Sequence, residues 1–288
     1  MTRRPRLLLL TLALFIAAGV GLAQRFRSRY SNREYSNPRA HAEGEVPAPW
    51  KVDSELPKDI FTFVRIRYTS SSGWSRGGGW RTDYSDADLN LAYRLQELTA
   101  LKVHPDGKVI ELTDPELYNY PFIYIVEPGA LVFSETEVQE LRRYLLKGGF
   151  LMVDDFWGER QWENFYYEIK RVFPEREPTE LPMEHPIFHS VFDLKFTKNQ
   201  LQVPNIRTGV QSQYTGITWE VHDGEECKEV HFKGIFDDKG RMMVMICHNT
   251  DNGDGWEREG EDSYFFREFS EKKAYPLAIN IIFYAMTH

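Results

Sequence analysis

Lys147-Gly148-Gly149-Phe150-Leu151-Met152-Val153-Asp154-Asp155-Phe156-Trp157-Gly158 is the stretch that decides the fold. It reads as a helix end, a two-glycine turn, a short apolar strand, and two consecutive acids where the strand runs out. A continuous apolar run of this length suits an interior strand of a parallel sheet, covered on both faces. In such sheets ligands bind in the crevice beyond the carboxyl ends of the strands. The run delivers Asp154 and Asp155 to that end, with no Cys, Ser or glycine-rich phosphate loop.

The pattern continues on either side. Phe61–Tyr68 is rich in aromatic and β-branched residues and predicts a first strand. Ser70–Gly79 is a Ser/Gly loop, after which Ser85 caps a predicted helix over Asp86–Thr99. Strands are predicted near Lys108–Leu112 and at Phe122–Val126, then a helix opened by the capping-box pair Ser134 and Glu137. An aromatic helix follows over about Gln161–Val172. Further on, residues 217–221 and 230–236 alternate like strands, Gly240–Cys247 is a buried strand, and Tyr275–Met286 a closing apolar helix. Strand and helix alternating through short loops give a three-layer α/β sandwich around a mostly parallel, doubly wound sheet.

The ends of the chain differ in chemistry. Arg3, Arg4 and Arg6 precede an apolar run from Leu7 to Ala23, the layout of a secretory signal peptide over 1–23 cleaved before Gln24. The alternative is an uncleaved membrane anchor, because the run nearly reaches spanning length. Residues 24–57 are rich in Arg, Ser, Asn, Pro and Glu, which predicts a disordered linker before a domain over 58–288. Residues 1–40 hold eight Arg and one Glu, whereas the whole chain is −8, so residues 41–288 carry −15. So acidic a domain is a poor partner for nucleic acid, whose phosphates reward clusters of Lys and Arg. The two cysteines, Cys227 and Cys247, can pair in an oxidising compartment, but two make no disulfide framework.

Several of these segments together resemble a known family. Phe61–Tyr68, the Trp80/Asp83/Asp88 segment, Tyr120-Pro121-Phe122, Gly148–Gly158, His185-Pro186-Ile187-Phe188 and Asn280–Tyr284 are similar to the bacterial family catalogued as domain of unknown function 4159. The resemblance covers about Phe61 to His288. It implies a class I glutamine amidotransferase-like fold, closest to the trehalose-utilisation (ThuA-like) group. That group also shows a Gly-Gly strand, a His-Pro-Ile segment and a Gly-Arg strand ending in His, here Gly148-Gly149, His185–Ile187 and Gly240–His248. In true amidotransferases the strand after the two glycines delivers a Cys on a strained elbow. This sequence has Asp154-Asp155 there, so thioester hydrolysis of glutamine lacks its nucleophile.

The candidate crevice residues are therefore Asp83, Asp88, Asp154, Asp155, Trp157, His185 and His248. A carboxylate at a strand end can act as nucleophile, general base or metal ligand; equally it can cap the next helix or pair with an Arg. Asp251, Asp254 and Glu257 lie among glycines in a loop that offers hard oxygens to a divalent cation, although the spacing is not that of an EF-hand. The same loop also fits a turn built on Asp, Asn and Gly for backbone reasons. His185 and His189 are four apart, but Pro186 disfavours a helix there, which favours imidazoles that hold a loop. Trp74, Trp80, Trp157, Trp162 and Trp256 permit carbohydrate stacking.

The expectation is an exported, periplasmic binding domain that has lost the ancestral nucleophile, with an unknown ligand or envelope protein as partner and no resident cofactor. The alternative is a carboxylate- or metal-dependent hydrolase with a carbohydrate as its candidate substrate. An interaction module would instead expose a large apolar patch. The topology predicts that Asp154 or Asp155, Asp83 or Asp88, and the loop 248–257 meet at one mouth of the sheet.

Overall fold

The computed structural model describes residues 35–52, 59–71 and 79–288. The predicted signal peptide, the first part of the linker and Trp74 lie outside them. Pro38–His288 form one compact unit. Among the described residues no helix is long and apolar enough to cross a membrane.

The sheet has seven strands. In spatial order they are β5 (Lys108–Ile110), β2 (Val64–Ile66), β6 (Phe122–Val126), β8 (Phe150–Asp154), β11 (Met242–His248), β10 (His231–Phe236) and β9 (Thr179–Glu180). The first five run parallel; β10 and β9 are antiparallel additions at one side. Small two-stranded pairings flank it, β1 (Ile60–Phe61) with β4 (Lys102–Val103) and β3 (Thr69–Ser70) with β7 (Leu131–Val132).

Successive strand residues point to opposite faces, and each face has its own apolar core. Phe122, Tyr124, Phe150, Met152, Met245 and Cys247 face one layer, which includes α1 (Asp86–Leu98) and α7 (Tyr275–Thr287). Ile123, Ile125, Leu151, Val153, Val244 and Ile246 face the other, made by α2 (Glu135–Leu146) and α3 (Gly158–Val172). This is why β8 reads as an unbroken apolar run: both of its faces are covered. The predicted capping box is present in full, with the Ser134 side chain accepting from the Glu137 amide and the Glu137 carboxylate accepting from the Ser134 amide.

The structure corrects four local expectations. Phe61–Tyr68 is not one strand: Ile60–Phe61 pairs outside the main sheet, and only Val64–Ile66 joins it. Residues 217–221 form no strand: Val221–Asp223 is a 3-10 turn, Ile217, Thr218 and Trp219 are all half-buried, and the apolar alternation of the sequence matches no alternation of exposure. The aromatic helix starts at Gly158, three residues earlier than its apolar spacing suggests, because Asn249 Oδ1 accepts from the Gly158 amide and Gln161 from the Trp157 amide. Last, part of the stretch whose composition predicts a linker is fastened to the domain. Asp86 accepts from the Glu43 and Gly44 amides, Ser85 Oγ donates to the Pro38 carbonyl, and the Trp50 indole donates to the Val103 carbonyl at 2.9 Å. Composition is blind to such capture, because it depends on acceptors far along the chain.

Candidate carboxylate site at the mouth of the sheet

The carboxyl ends of β6, β8 and β11 lie side by side, so Glu127, Asp155 and Asn249 each leave the sheet on the same edge. Backbone bonds tie the exits together: the Asp155 amide donates to the Thr250 carbonyl, Asn249 to Phe156, and Glu127 to Asp154. Asp83 approaches from the turn before α1. Arg65, buried in β2, sets that turn by donating to the Thr82 carbonyl at 2.8 Å and the Trp80 carbonyl at 3.2 Å.

Among the described residues the non-glycine positions with left-handed φ are Asp83 (63°), Glu127 (46°), Asp155 (56°) and Asn249 (60°). All four border this mouth. Residues held in that region cost free energy that surrounding structure must supply, and they concentrate at functional sites.

The two adjacent acids divide their work. Asp154 is fully buried and serves α5 (Asn252–Glu257): its Oδ2 accepts from the Asn252 and Gly253 amides at 2.8 and 3.1 Å, and its Oδ1 from the Asn252 side chain at 2.7 Å. Burial pushes its pKa up to about 7 against those donors. Asp155 turns instead towards the acids. It accepts from the Trp157 indole at 3.0 Å, so Trp157, itself buried, positions a carboxylate and offers no free stacking face.

Oxygens of Asp83, Asp155 and Asp251 lie within 4.8 Å of one another, and all three side chains are buried. Asp251 caps α5 by accepting from the Asp254 amide at 2.8 Å. Among the described residues, none of the three is ion-paired with a Lys or Arg. Burial, and then the neighbouring carboxylates, push the pKa of each well above the usual range. Two unit charges 4 Å apart repel by about 4 kcal/mol at an effective dielectric of 20. A hard cation or shared protons would relieve that repulsion. A second group, Asp83, Asp254 and Glu257, meets the same distance limit and shares Asp83 with the first. Asp254 accepts from the Ile206 amide at 2.6 Å, and Arg258 lies against Glu257.

Other candidates are spent elsewhere. Asp88 is taken by Arg65 through three contacts of 2.5 to 3.1 Å and stays out of the cluster. His248 ends β11 on the opposite face, stacked on His231 and packed against the tilted rings of Phe156 and Trp162. Burial holds its pKa down to about 3, so the ring is neutral, and its Nε2 lies 3.2 Å from the Gly158 carbonyl. His185 is at the other end of the sheet, beside Phe236 and Tyr284, where it accepts from the Ile187 amide. Its placement at the crevice is thus corrected: His-Pro starts a 3-10 turn at the amino-terminal edge. His189, between Asp193 and the Met183 carbonyl, fastens the same loop.

Glu127 and Asn249 also border the mouth, although neither is among the candidate residues the sequence singles out. Glu127 had a legible signal, an acid one residue past a buried strand, the same position that singles out Asp155. Its carboxylate accepts from the Gly79 amide. Asn249 had none, because its role depends on the carbonyls of Glu226 and Glu229, reached across the fold.

Fold and site together define an α/β protein with a mostly parallel central sheet and a carboxylate-lined mouth at its carboxyl edge. The chain belongs to the family described as Domain of unknown function (DUF4159), whose model matches residues 62–286. No curated protein matches it significantly.

Proposed function

We infer that this chain is an exported, cation-dependent ligand-binding domain on a class I glutamine amidotransferase-like scaffold without glutaminase activity. One observation carries the reading: three buried carboxylates from three separate segments converge within 4.8 Å, and among the described residues no Lys or Arg is ion-paired with any of them. Hard oxygens in that number suit Ca²⁺, Mg²⁺ or Mn²⁺, with water or an external ligand completing the coordination. The scaffold reading rests on the parallel order β2-β6-β8-β11 and on Asp155, whose left-handed φ stands where the resemblance puts a strained nucleophile.

Equilibrium dialysis of the metal-free protein at pH 7.5 is expected to show saturable Ca²⁺ or Mn²⁺ binding, with affinity at the Asp83, Asp155 and Asp251 group weakened at least tenfold in Asp251→Asn. Absence of binding by a folded protein would sink the reading.

Neither thiol replaces the missing nucleophile. Cys227 is near the start of α3, its Sγ 3.5 Å from where a Gly158 Cβ would stand. Burial and the acids around it push its pKa up to about 12, which leaves essentially no thiolate at neutral pH. Cys247 is buried within the sheet, and both cysteines are free. The purified protein is therefore expected to release no ammonia from glutamine; release abolished by a thiol-alkylating reagent would overturn this. Export rests on the Arg-led apolar run alone. Amino-terminal sequencing of the mature protein should begin at Gln24, and an intact Met1 would favour the anchored alternative.

A further inference from the structure

We propose that the mouth holds two divalent cations, with Asp83 as the carboxylate shared between them. The proposal rests on the cation-binding reading above and extends it. Asp83 belongs to both carboxylate groups, with Asp155 and Asp251 on one side and Asp254 and Glu257 on the other. Its Oδ2 is the independent sign of a missing partner. That atom is buried, has no hydrogen-bond partner, and belongs to a side chain only 7% exposed.

Its direction is fixed as well. A Cβ on Gly253 would lie 2.0 Å from Asp83 Oδ2, so the oxygen points into the first turn of α5, between Asp251 and Asp254. Only glycine leaves that space open. A carboxylate with both oxygens available can bridge, and cations about 3.5–4 Å apart are the usual spacing of two-metal sites.

Charge favours two ions over one. The two groups contain five different carboxylates, and Arg258 is the one Lys or Arg ion-paired with any of them among the described residues. Arg258 offsets one charge, and the remaining four match two divalent cations. Arg258 is not locked in place: its side chain is 34% exposed, it also reaches Glu261, and its Nε makes no directional hydrogen bond with Glu257 despite a 2.6 Å approach. It can shift as a cation enters while still offsetting one carboxylate of the cluster. Asp254 Oδ2 is held by the Ile206 amide, and its Oδ1 faces Arg258 Nε at 3.6 Å, beyond hydrogen-bond distance, so that oxygen can still take the ion. The ligand class that follows is an oxyanion, such as a phosphate or carboxylate group, able to span both ions.

Titration calorimetry with Mn²⁺ on the metal-free full chain tests this, with circular dichroism to confirm folding of every variant. Wild type should bind two equivalents; Asp251→Asn and Glu257→Gln should each retain one, and Asp83→Asn should lose both. In the loaded wild type, electron paramagnetic resonance should show exchange-coupled Mn²⁺. One equivalent in wild type, unchanged by Glu257→Gln, overturns the second ion and leaves the single-cation reading intact. Two uncoupled ions, or one retained by Asp83→Asn, overturn the shared carboxylate. No binding at all defeats the reading on which the proposal rests.

Discussion

Asp88→Ala is expected to lower the stability of the domain by about 3–5 kcal/mol, the usual cost of stranding one partner of a buried ion pair. Arg65 and Asp88 are 0% and 1% exposed at their side chains, and the guanidinium meets the carboxylate at 2.5 Å. Burial alone works against the Arg65 charge, but Asp88 outweighs it and holds the guanidinium pKa above its ordinary value. Removing the carboxylate leaves a cation in β2 that cannot shed its proton and has no water. In a domain of this size each kcal/mol moves the melting temperature by roughly 2–4 °C. Urea denaturation and a thermal melt should therefore agree on a large loss. The double variant Arg65→Met/Asp88→Leu should recover most of it, because well-packed apolar residues often replace such a pair without penalty. The two variants differ in a way that matters for the site. Arg65 also shapes the turn that presents Asp83, so the recovered double variant should still bind cations more weakly than wild type. A loss below about 1 kcal/mol in Asp88→Ala would mean that water reaches Arg65.

The second large effect joins pH to the cation. Burial raises Asp154 and Glu257 to about 7 and raises Asp83, Asp155 and Asp251 well above the carboxylate range. Unfolded carboxyls titrate near 4. The folded state thus holds protons that the unfolded state has released, and stability falls as pH rises. The stabilisation is complete below about pH 4 and declines through about pH 7 for Asp154 and Glu257. Metal-free protein should therefore melt at progressively lower temperature between those limits. A divalent cation at a hundred times its dissociation constant adds about 2.7 kcal/mol per site. Added Ca²⁺ or Mn²⁺ should restore roughly 5–10 °C per occupied site at pH 7.5 and almost nothing at pH 4, where protons already fill the cluster. Differential scanning calorimetry in matched buffers, with and without chelator, measures both arms. A melting temperature indifferent to the cation at pH 7.5 would leave shared protons as the answer to the repulsion.

The sequence by itself determined the layering and much of the sheet. Phe122–Val126 and Phe150–Asp154 are legible because strands covered on both faces need apolar residues at every position, a demand that is local and unmistakable. The Ser134/Glu137 cap is legible because its partners are three residues apart. The acids beyond β8 are legible too, as a change of chemistry where a buried strand ends. Tertiary structure alone decided which acid does what. Asp154 and Asp155 are neighbours, yet one caps α5 and the other faces Asp83, a division set by Asn252, Gly253 and the Trp157 indole. It alone paired Asp88 with Arg65 across 23 residues and sent His185 to the far edge. It also fastened residues 38–50, whose composition carries no trace of the Ser85 hydroxyl, Asp86 carboxylate and Val103 carbonyl that hold them. Periodicity records which face of an element is buried. It does not record which distant donor meets a carboxylate, and that distinction separates a helix cap from a cation ligand.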